Sequence, residues 1–426
     1  MSYWFNELPS DWNVVKVKNV FNMISGGTPK SDIEEYWSDS EVIWVTPEDL
    51  SKEGKYLNDS IRKISNLGLQ NCSANVIKAN SIVVSTRAPI GNVKVSTVPF
   101  TTNQGCKSLE AKGKVNITYY YYVIALAKEH LNNLGQGTTF LELSNYSLKN
   151  VFVPYPDINS QDLIAYYLDT KCNQIDELIV AKKKQISLLE QQRQSIITEA
   201  VTKGLNPNVK MKDSGVEWIG EIPEHWEEQK IKYLFFESIE RNFSEDATLL
   251  SLFTSIGVKP RRDMEEKGNK AQTVINYKVV RKGDIVVNKL LAWMGAIGLS
   301  EYNGVTSPDY DVYRSLNSAR IEELYYHYYF RNHYFKGDCF KFGRGIMMMR
   351  WRTYPEQFKS ILVPVPSKEE QTQIANYIET KEKELALTIK NIEHSIHKLK
   401  EYRQALIYEA VTGKIDVRDM ELDEVR

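Results

Sequence analysis

The stretch QDLIAYYLDTKCNQIDELIVAKKKQISLLEQQRQSIITEA, residues 161–200, decides the fold of this chain. Its apolar and semi-apolar residues recur in alternating steps of four and three, the 3.5-residue period of a coiled-coil seam. No Gly or Pro interrupts the pattern, so the sequence predicts one helix of about 40 residues and roughly 60 Å. The predicted seam of this first helix consists of Leu168, Ile175, Ile179, Ile186 and Leu189.

The same pattern returns in QTQIANYIETKEKELALTIKNIEHSIHKLKEYRQALIYEA, residues 371–410. When residues 153–202 are aligned with residues 363–412, about 19 of 50 positions are identical and no gap is needed, which indicates an internal repeat. The predicted seam of this second helix consists of Ile378, Leu385, Ile389, Ile396 and Leu399.

Two matching helices in one chain can bury their narrow seams against each other, which neither can do alone. The sequence therefore predicts an antiparallel coiled coil, with a pseudo-twofold axis relating the two halves of the chain. Polar seam residues are expected to fix the register, with Arg193 and Arg403 at matching places and Glu382 opposite Cys172. The alternative is that each helix packs separately on its own neighbouring domain.

The rest of the chain is predicted to form two globular domains with one shared plan. The strand predicted at 81–85 recurs at 284–288, and the VPYP sequence at 153–156 recurs as VPVP at 363–366. The predicted fold class is therefore α/β (α+β), in two copies joined by the two long helices. The predicted segments are a first domain at 1–153, a spacer helix and linker at 154–210, a second domain at 211–363, and a second spacer helix with the C-terminal tail at 364–426.

The composition is that of an ordinary soluble protein. The 426 residues carry a net charge of −1, which disfavours a non-specific polyanion binder but allows a sequence-reading DNA binder with local basic patches. The four cysteines lie far apart, which argues against a zinc site or a disulfide framework and fits a reducing cytoplasm. No apolar run is long enough to predict a membrane span.

Motifs of catalysis are missing. The loop at 26–31 lacks the spacing of a phosphate-binding loop, and 343–345 lacks the third glycine of a dinucleotide fingerprint. His394 and His397 share a helix face but have no third metal ligand in view. We therefore expect no catalytic residue, no metal and no cofactor in this chain.

Polar loops of the first domain are candidates for contact with DNA. Asn and Gln side chains can pair with adenine in the major groove, and Arg and Lys can bind phosphate. The alternative is ordinary turn chemistry, which Gly, Asn and Thr serve in every fold. The candidates are Thr28, Lys30, Arg87, Asn92, Asn103, Gln104, Gln136 and Thr138.

The second domain carries the densest basic region of the chain, at 331–359, and a smaller cluster at 259–262. Cations on loops can hold phosphates, and a few can reach base edges. The alternative is that they are solvated surface charges, as the neighbouring Asp263, Glu265 and Glu266 suggest. The candidates here are Lys259, Arg261, Arg262, Lys289, Arg344, Arg350 and Arg352.

Several motifs together resemble a known family. They are STRAPIGN at 85–92, TNQGCKSL at 102–109, WIGEIPEHW at 218–226, VPYP and VPVP, and the two QxxIAxYxxTK starts of the long helices. Over nearly its whole length the chain resembles the specificity (S) subunits of type I restriction–modification systems.

This resemblance implies two target recognition domains, each reading one half of a split, asymmetric sequence in double-stranded DNA. The coiled coil would set the unread gap and dock two methyltransferase (M) subunits, and through them the restriction (R) subunits. S-adenosylmethionine, ATP and Mg²⁺ are then expected only in the partner subunits. Two other readings remain open, namely an assembly scaffold whose two heads bind proteins, and a cryptic enzyme.

Overall fold

The computed structural model describes residues 3–38, 41–137, 141–254, 256–263, 273–345 and 351–417. The chain divides into two compact units: unit 1 comprises Met1–Lys182 with His394–Arg426, and unit 2 comprises Lys183–Glu393. Each unit therefore contains one globular head and a part of each long helix. The predicted segment boundaries stay a prediction, since the compact units divide the chain within both helices.

The strands of unit 1 are β1 (Asn13–Lys16), β2 (Phe21–Ser25), β3 (Val42–Val45), β4 (Tyr56–Leu57), β5 (Lys63–Ile64), β6 (Ser81–Ser85), β7 (Val93–Ser96), β8 (Thr101–Thr102), β9 (Cys106–Ala111) and β10 (Phe152–Tyr155). Its short helices are α1 (Val17–Val20), α2 (Pro47–Ser51), α3 (Asn66–Gln70), α4 (Ile117–Leu126), α5 (Lys128–Asn133) and α6 (Asn145–Lys149), with a 3₁₀ turn at Glu34–Tyr36.

The long helices are α7 (Ile158–Lys203) and α11 (Lys368–Val411). The strands of unit 2 are β11 (Met211–Asp213), β12 (Glu221–Pro223), β13 (Glu227–Lys230), β14 (Phe235–Glu237), β15 (Leu250–Phe253), β16 (Gly257–Pro260), β17 (Lys278–Val280), β18 (Ile285–Asn288), β19 (Ile297–Leu299), β20 (Gly304–Thr306), β21 (Tyr310–Ser315) and β22 (Leu362–Val365). Its short helices are α8 (Glu323–Arg331), α9 (Phe335–Phe342) and α10 (Pro355–Ser360), with 3₁₀ turns at Ile231–Tyr233, Arg261–Asp263 and Ala292–Met294.

The central sheet of unit 1 has the strand order β2-β9-β6-β7-β4, beside a smaller sheet β5-β3-β8 and the pair β1-β10. Strand β6 is buried along its whole length, as its run of apolar residues between polar loops predicts. Unit 2 has the corresponding sheet β14-β21-β18-β19, with pairs β13-β22, β15-β16, β17-β20 and β11-β12. The strands predicted at 81–85 and 284–288 are therefore the central β6 and β18.

Local sequence signals start and stop the long helices. The carboxylate of Asp157 accepts hydrogen bonds from the Ser160 hydroxyl and from the backbone N–H groups of Ser160 and Asn159, which together lower the pKa of Asp157 and cap the start of α7. Ser367 and Glu370 exchange hydrogen bonds at the start of α11, the reciprocal arrangement of a capping box. Helix α7 ends before Gly204, whose φ of +75° favours glycine.

In unit 1 the start of α7 and the end of α11 run antiparallel, and Arg403 forms an ion pair with Asp176. The Tyr119 hydroxyl, on helix α4 of the head, donates to the backbone oxygen of Val411 at the end of α11. The head of unit 1, which precedes α7 in the sequence, thus packs against the C-terminal end of α11. Of the predicted seam residues in this unit, Leu168, Ile175, Ile179 and Ile396 are buried and Leu399 is half-buried.

Unit 2 repeats this arrangement with the helix ends exchanged. Arg193 Nε donates to Glu382 Oε1 at 2.8 Å, and the Tyr325 hydroxyl donates to the backbone oxygen of Val201 at 2.9 Å. The partner predicted for Glu382 is therefore wrong, because antiparallel helices bring it to Arg193 and not to Cys172. Ile378 is buried, whereas Ile186, Leu189, Leu385 and Ile389 are half-buried.

The predicted fold class is confirmed: each unit is a mixed α/β head against antiparallel parts of two long helices. The core of unit 2 includes Val201 from the end of α7 and Ile374 from the start of α11, packed with the head residue Trp226. The helices are therefore part of each core, not appendages. The predicted pseudo-twofold axis stays a prediction.

A buried histidine makes the stability of unit 2 depend on pH. His327 Nδ1 accepts a hydrogen bond from the Leu299 N–H, and burial together with the nearby Arg331 lowers the pKa of His327 to about 3. In the unfolded chain the histidine pKa is about 6.5. Below pH 6.5 the unfolded state therefore binds a proton that the folded state does not. We expect the free energy of unfolding to fall by about 1.4 kcal/mol per pH unit from this residue between pH 6.5 and 3.

Urea denaturation at several pH values measures this dependence. The variant His327→Gln keeps a hydrogen-bond acceptor and loses the titrating group, so its stability should change less steeply over this pH window. The exposed His333→Gln serves as the matched control. Equal slopes for wild type and His327→Gln would contradict the prediction.

Candidate nucleic-acid interface

Four loops of unit 1 meet at one end of its central sheet. Strands β2 and β6 end there and β9 begins there, because Ser25 lies opposite Lys107 and Ser85 opposite Cys106. We call the side chains that project from these loops the first loop face. They are Thr28, Arg87, Gln104, Gln136 and Glu142.

Hydrogen bonds hold the first loop face together. Thr28 Oγ1 donates to Gln104 Oε1, and the Arg87 N–H donates to the Gly105 oxygen. The backbones of Gln136 and Glu142 exchange two hydrogen bonds of 3.0 and 2.9 Å, as in an antiparallel ladder. Candidate residues that are distant in sequence therefore share one exposed surface.

An ion pair lies at the centre of this face. Arg87 Nε lies 3.2 Å from Glu142 Oε2, and their side chains are 52 % and 44 % exposed. Lys107 is buried beneath them. Burial lowers the pKa of Lys107, an effect that Arg87 increases and Glu142 opposes. Glu142 thus pairs with Arg87 and is also close enough to oppose the lowering of the pKa of Lys107.

Other candidates of unit 1 lie elsewhere or are already engaged. Asn92 accepts a hydrogen bond from Lys128 and donates one to Ser51, so its amide serves the turn, while Asn103 Oδ1 caps the Gly105 N–H. Lys30 is exposed. Thr138 lies outside the described residues.

Unit 2 has a second loop face at the corresponding end of its sheet, formed by Arg261, Lys289, Arg344 and Arg352. Arg344 and Arg352 exchange two backbone hydrogen bonds, and the Thr353 N–H donates to the Lys289 oxygen. Both arginines are exposed. Tyr310 lies opposite Asn288 at the end of β18. Burial raises the pKa of Tyr310, and the positive charge of Arg261 opposes this rise, so Arg261 lies near the same end of the sheet.

Two aromatic rings pack beside the bridge between Arg344 and Arg352. Trp351 stacks on Phe340 with ring centroids 4.9 Å apart, and its Nε1 donates to the Phe340 oxygen. A Cβ atom at Gly343 would lie 2.4 Å from Trp351 Nε1, so only glycine fits there. Gly343 therefore has a packing role.

A buried carboxylate lies beneath the second loop face. Asp311 Oδ1 accepts a hydrogen bond from Lys278 Nζ at 2.8 Å and lies 3.8 Å from Lys289 Nζ. The side chain of Asp311 is 2 % exposed, and its second oxygen has no hydrogen-bond partner among the described residues. Asp311 thus draws Lys289 toward the sheet.

The remaining candidates of unit 2 contact residues of their own surroundings. Lys259 Nζ donates to the Tyr302 hydroxyl, which raises the pKa of the lysine, and it also lies 3.6 Å from Glu301. Arg262 pairs with Asp263 at 3.6 Å. Arg350 lies outside the described residues.

Sequence reasoning missed Glu142, Lys107 and Asp311. Glu142 follows the candidates Gln136 and Thr138 in the sequence and pairs with Arg87, which precedes it by more than 50 residues. Lys107 and Asp311 carry no clear signal, since each strand also contains another charged residue, Glu110 in β9 and Arg314 in β21. In the part of the chain that the structure describes, no group of three or more His, Cys, Asp or Glu residues could hold a metal ion. No helix among these residues is long and apolar enough to cross a membrane.

The class of protein that this fold defines is a chain of two α/β units that share two long antiparallel helices. Residues 9–188 match the family described as "Type I restriction modification DNA specificity domain". The MjaIX specificity subunit of Methanocaldococcus jannaschii, a type I restriction enzyme component, is 36 % identical over 187 residues, which are 43 % of this chain and 42 % of that relative. Over these ranges the chain is similar to type I restriction enzyme specificity subunits.

Two further comparisons extend over the whole chain. The MjaVIII specificity subunit of the same archaeon is 26 % identical over 442 residues, covering 97 % of this chain and 95 % of that one. A chain from a structure described as "Structural basis underlying complex assembly and conformational transition of the type I R-M system" superimposes with a TM-score of 0.71. It is 16 % identical and covers 96 % of this chain and all of that one, which supports the shared fold.

Proposed function

We propose that this chain is the non-catalytic DNA-specificity subunit of a type I restriction–modification complex. Each unit would read one half of a bipartite, asymmetric duplex site with its loop face. The observation that carries this proposal is the pair of loop faces: they occupy the same end of the same sheet in both units but present different side chains. Two readers with one scaffold and different contact residues suit a site with two different halves.

The chemistry of each face supports contact with duplex DNA. The second loop face offers exposed arginines, which bind phosphates and pair with guanine, and the first offers Gln104 and Gln136, whose amides can pair with adenine. The carboxylate of Glu142 on the first loop face would favour base contacts over indiscriminate phosphate binding. The paired helices α7 and α11 would set the unread gap and bind two methyltransferase subunits, and restriction subunits would join through these. S-adenosylmethionine, ATP and Mg²⁺ would be bound by the partner subunits, and the complex would act on DNA in the cytoplasm.

Footprinting of the chain, purified with its methyltransferase subunits, tests this proposal. We expect two protected half-sites separated by a gap of constant length and variable sequence. Binding should weaken steeply as salt rises, because cations on the protein compete with counterions for the phosphates. Protection of one continuous sequence would contradict the bipartite reading. Salt-insensitive association with proteins, and none with duplex, would favour the assembly scaffold.

A further inference from the structure

Each loop face contains an antiparallel bridge, which joins Gln136 to Glu142 in unit 1 and Arg344 to Arg352 in unit 2. We call each pair of bridged residues the hairpin, and it occupies the same place in both units. In unit 1 the Leu143 N–H donates to the Thr86 oxygen just after β6, and in unit 2 the Thr353 N–H donates to the Lys289 oxygen just after β18. The residue before each donor belongs to an antiparallel bridge, Gln136 with Glu142 and Arg344 with Arg352. Glu142 of unit 1 therefore corresponds to Arg352 of unit 2.

The charges at these equivalent positions are reversed. In unit 1 the acidic Glu142 neutralises Arg87, whereas in unit 2 the two paired residues, Arg344 and Arg352, are both cationic. Among the described residues, no carboxylate lies within ion-pair distance of Arg344 or Arg352.

The buried residue beneath each hairpin is reversed as well. Val84 lies opposite Lys107 in unit 1, and the equivalent Val287 lies opposite Asp311 in unit 2. A buried cation therefore lies beneath the acidic hairpin and a buried anion beneath the cationic one. Glu142 thus has a buried cation beneath it as well as Arg87 beside it, whereas the buried Asp311 of unit 2 is already paired with Lys278.

We propose that the residue at this hairpin position sets how strongly each unit binds DNA phosphate. In unit 1 the ion pair between Glu142 and Arg87, which we call the lock, keeps Arg87 from binding the phosphates of non-cognate duplex. This inference rests on the proposed function. The lock can open because an ion pair between half-exposed side chains contributes little to stability. A DNA phosphate offers Arg87 an equivalent anionic partner. Among the described residues of unit 2, no carboxylate pairs with Arg344 or Arg352 in this way, so these two arginines would supply sequence-independent affinity.

The lock predicts opposite effects for two substitutions. Glu142→Gln frees Arg87 and removes a charge that repels phosphate, so affinity for a duplex of scrambled sequence should rise about 3- to 10-fold at low salt. The slope of log K against log salt concentration should steepen by about 1, the value for one added phosphate contact. Arg352→Gln should lower the affinity and make the slope shallower by about 1.

Fluorescence anisotropy on the intact complex with methyltransferase subunits measures both quantities. Glu7→Gln is the matched control, because it removes the same charge from an exposed position in the N-terminal segment of unit 1. The double variant Arg87→Gln/Glu142→Gln shows whether the lock acts through Arg87, since the gain should then disappear. Thermal midpoints check that every variant folds.

The outcomes separate the two hypotheses. If the wild-type complex binds cognate duplex but Glu142→Gln behaves like Glu7→Gln, the lock is disproved and the proposed function stands. If the gain survives in the double variant, Glu142 does not act through Arg87 and the lock is again disproved. A wild-type complex that binds no duplex at all would refute the proposed function and, with it, the lock.

Discussion

Deletion of one heptad from each long helix, residues 184–190 of α7 together with 387–393 of α11, is expected to shorten the unread gap by about 3 bp. Seven helical residues rise about 10.5 Å, which is close to three base pairs at about 3.4 Å each. The deleted segments face each other in unit 2, since Arg193 pairs with Glu382 just outside them. Both helices therefore shorten together and that ion pair is kept.

The heptad is the right length because it is close to two helical turns. Its removal changes the rotation of the seam by only about 20°, so the apolar residues still meet. Deletion of five residues from each helix, 184–188 with 389–393, is the matched control. It turns the seam by about 140° and should abolish site-specific binding. Footprints of the complex decide the result, and an unchanged gap in the heptad variant would show that the helices do not set the spacing.

Asp284→Ala is expected to lower the free energy of unfolding of unit 2 by about 3 kcal/mol. Asp284 is 2 % exposed and accepts two hydrogen bonds from Arg314, at 2.8 and 2.9 Å, and a third from the Arg281 N–H. Its removal leaves the half-buried Arg314 guanidinium, 24 % exposed, beside Glu240 at 3.8 Å, and it also leaves the Arg281 N–H without this acceptor. Removing the buried partner of such a pair costs more than the pair contributes, because the remaining charge stays partly shielded from water.

The matched control lies in the same unit. Arg320 and Glu227 form an ion pair with side chains that are 46 % and 61 % exposed. Glu227→Gln should therefore cost only about 0–1 kcal/mol, since water replaces the lost carboxylate. Urea denaturation of both variants at one pH measures the difference. Equal costs would show that burial does not control the contribution of the Asp284 pair.

Parts of the candidate site were predictable because their signals are local. The turn chemistry of Gly, Asn and Thr located the loops, and the charge cluster at 331–359 located the cations that include Arg344 and Arg352. The grouping of these residues was not predictable. Arg87 and Gln136 lie on one surface only because both are bridged to Glu142, which follows them in the sequence.

The roles of Glu142 and Asp311 could not be predicted from the sequence at all. A lone Glu after a loop reads as a solvated charge, and a lone Asp in a strand reads as an exposed position. Each gains its meaning from a partner brought by folding, Arg87 in one case and Lys278 in the other. The predicted contact of Glu382 failed for the same reason, since helix period fixes which face is buried but not which residue lies opposite.

The sequence by itself determined the two long helices, the caps that start them, the glycine that ends α7, and the duplication of the whole plan. These features depend on spacings of three or four residues and on neighbours within one turn, so they are encoded locally. Only the tertiary structure decided that each unit takes the start of one long helix and the end of the other, and that opposite charges occupy equivalent hairpins. Those facts depend on which distant segments bury their apolar surface together, and the burial free energy that selects them is a property of the folded chain as a whole.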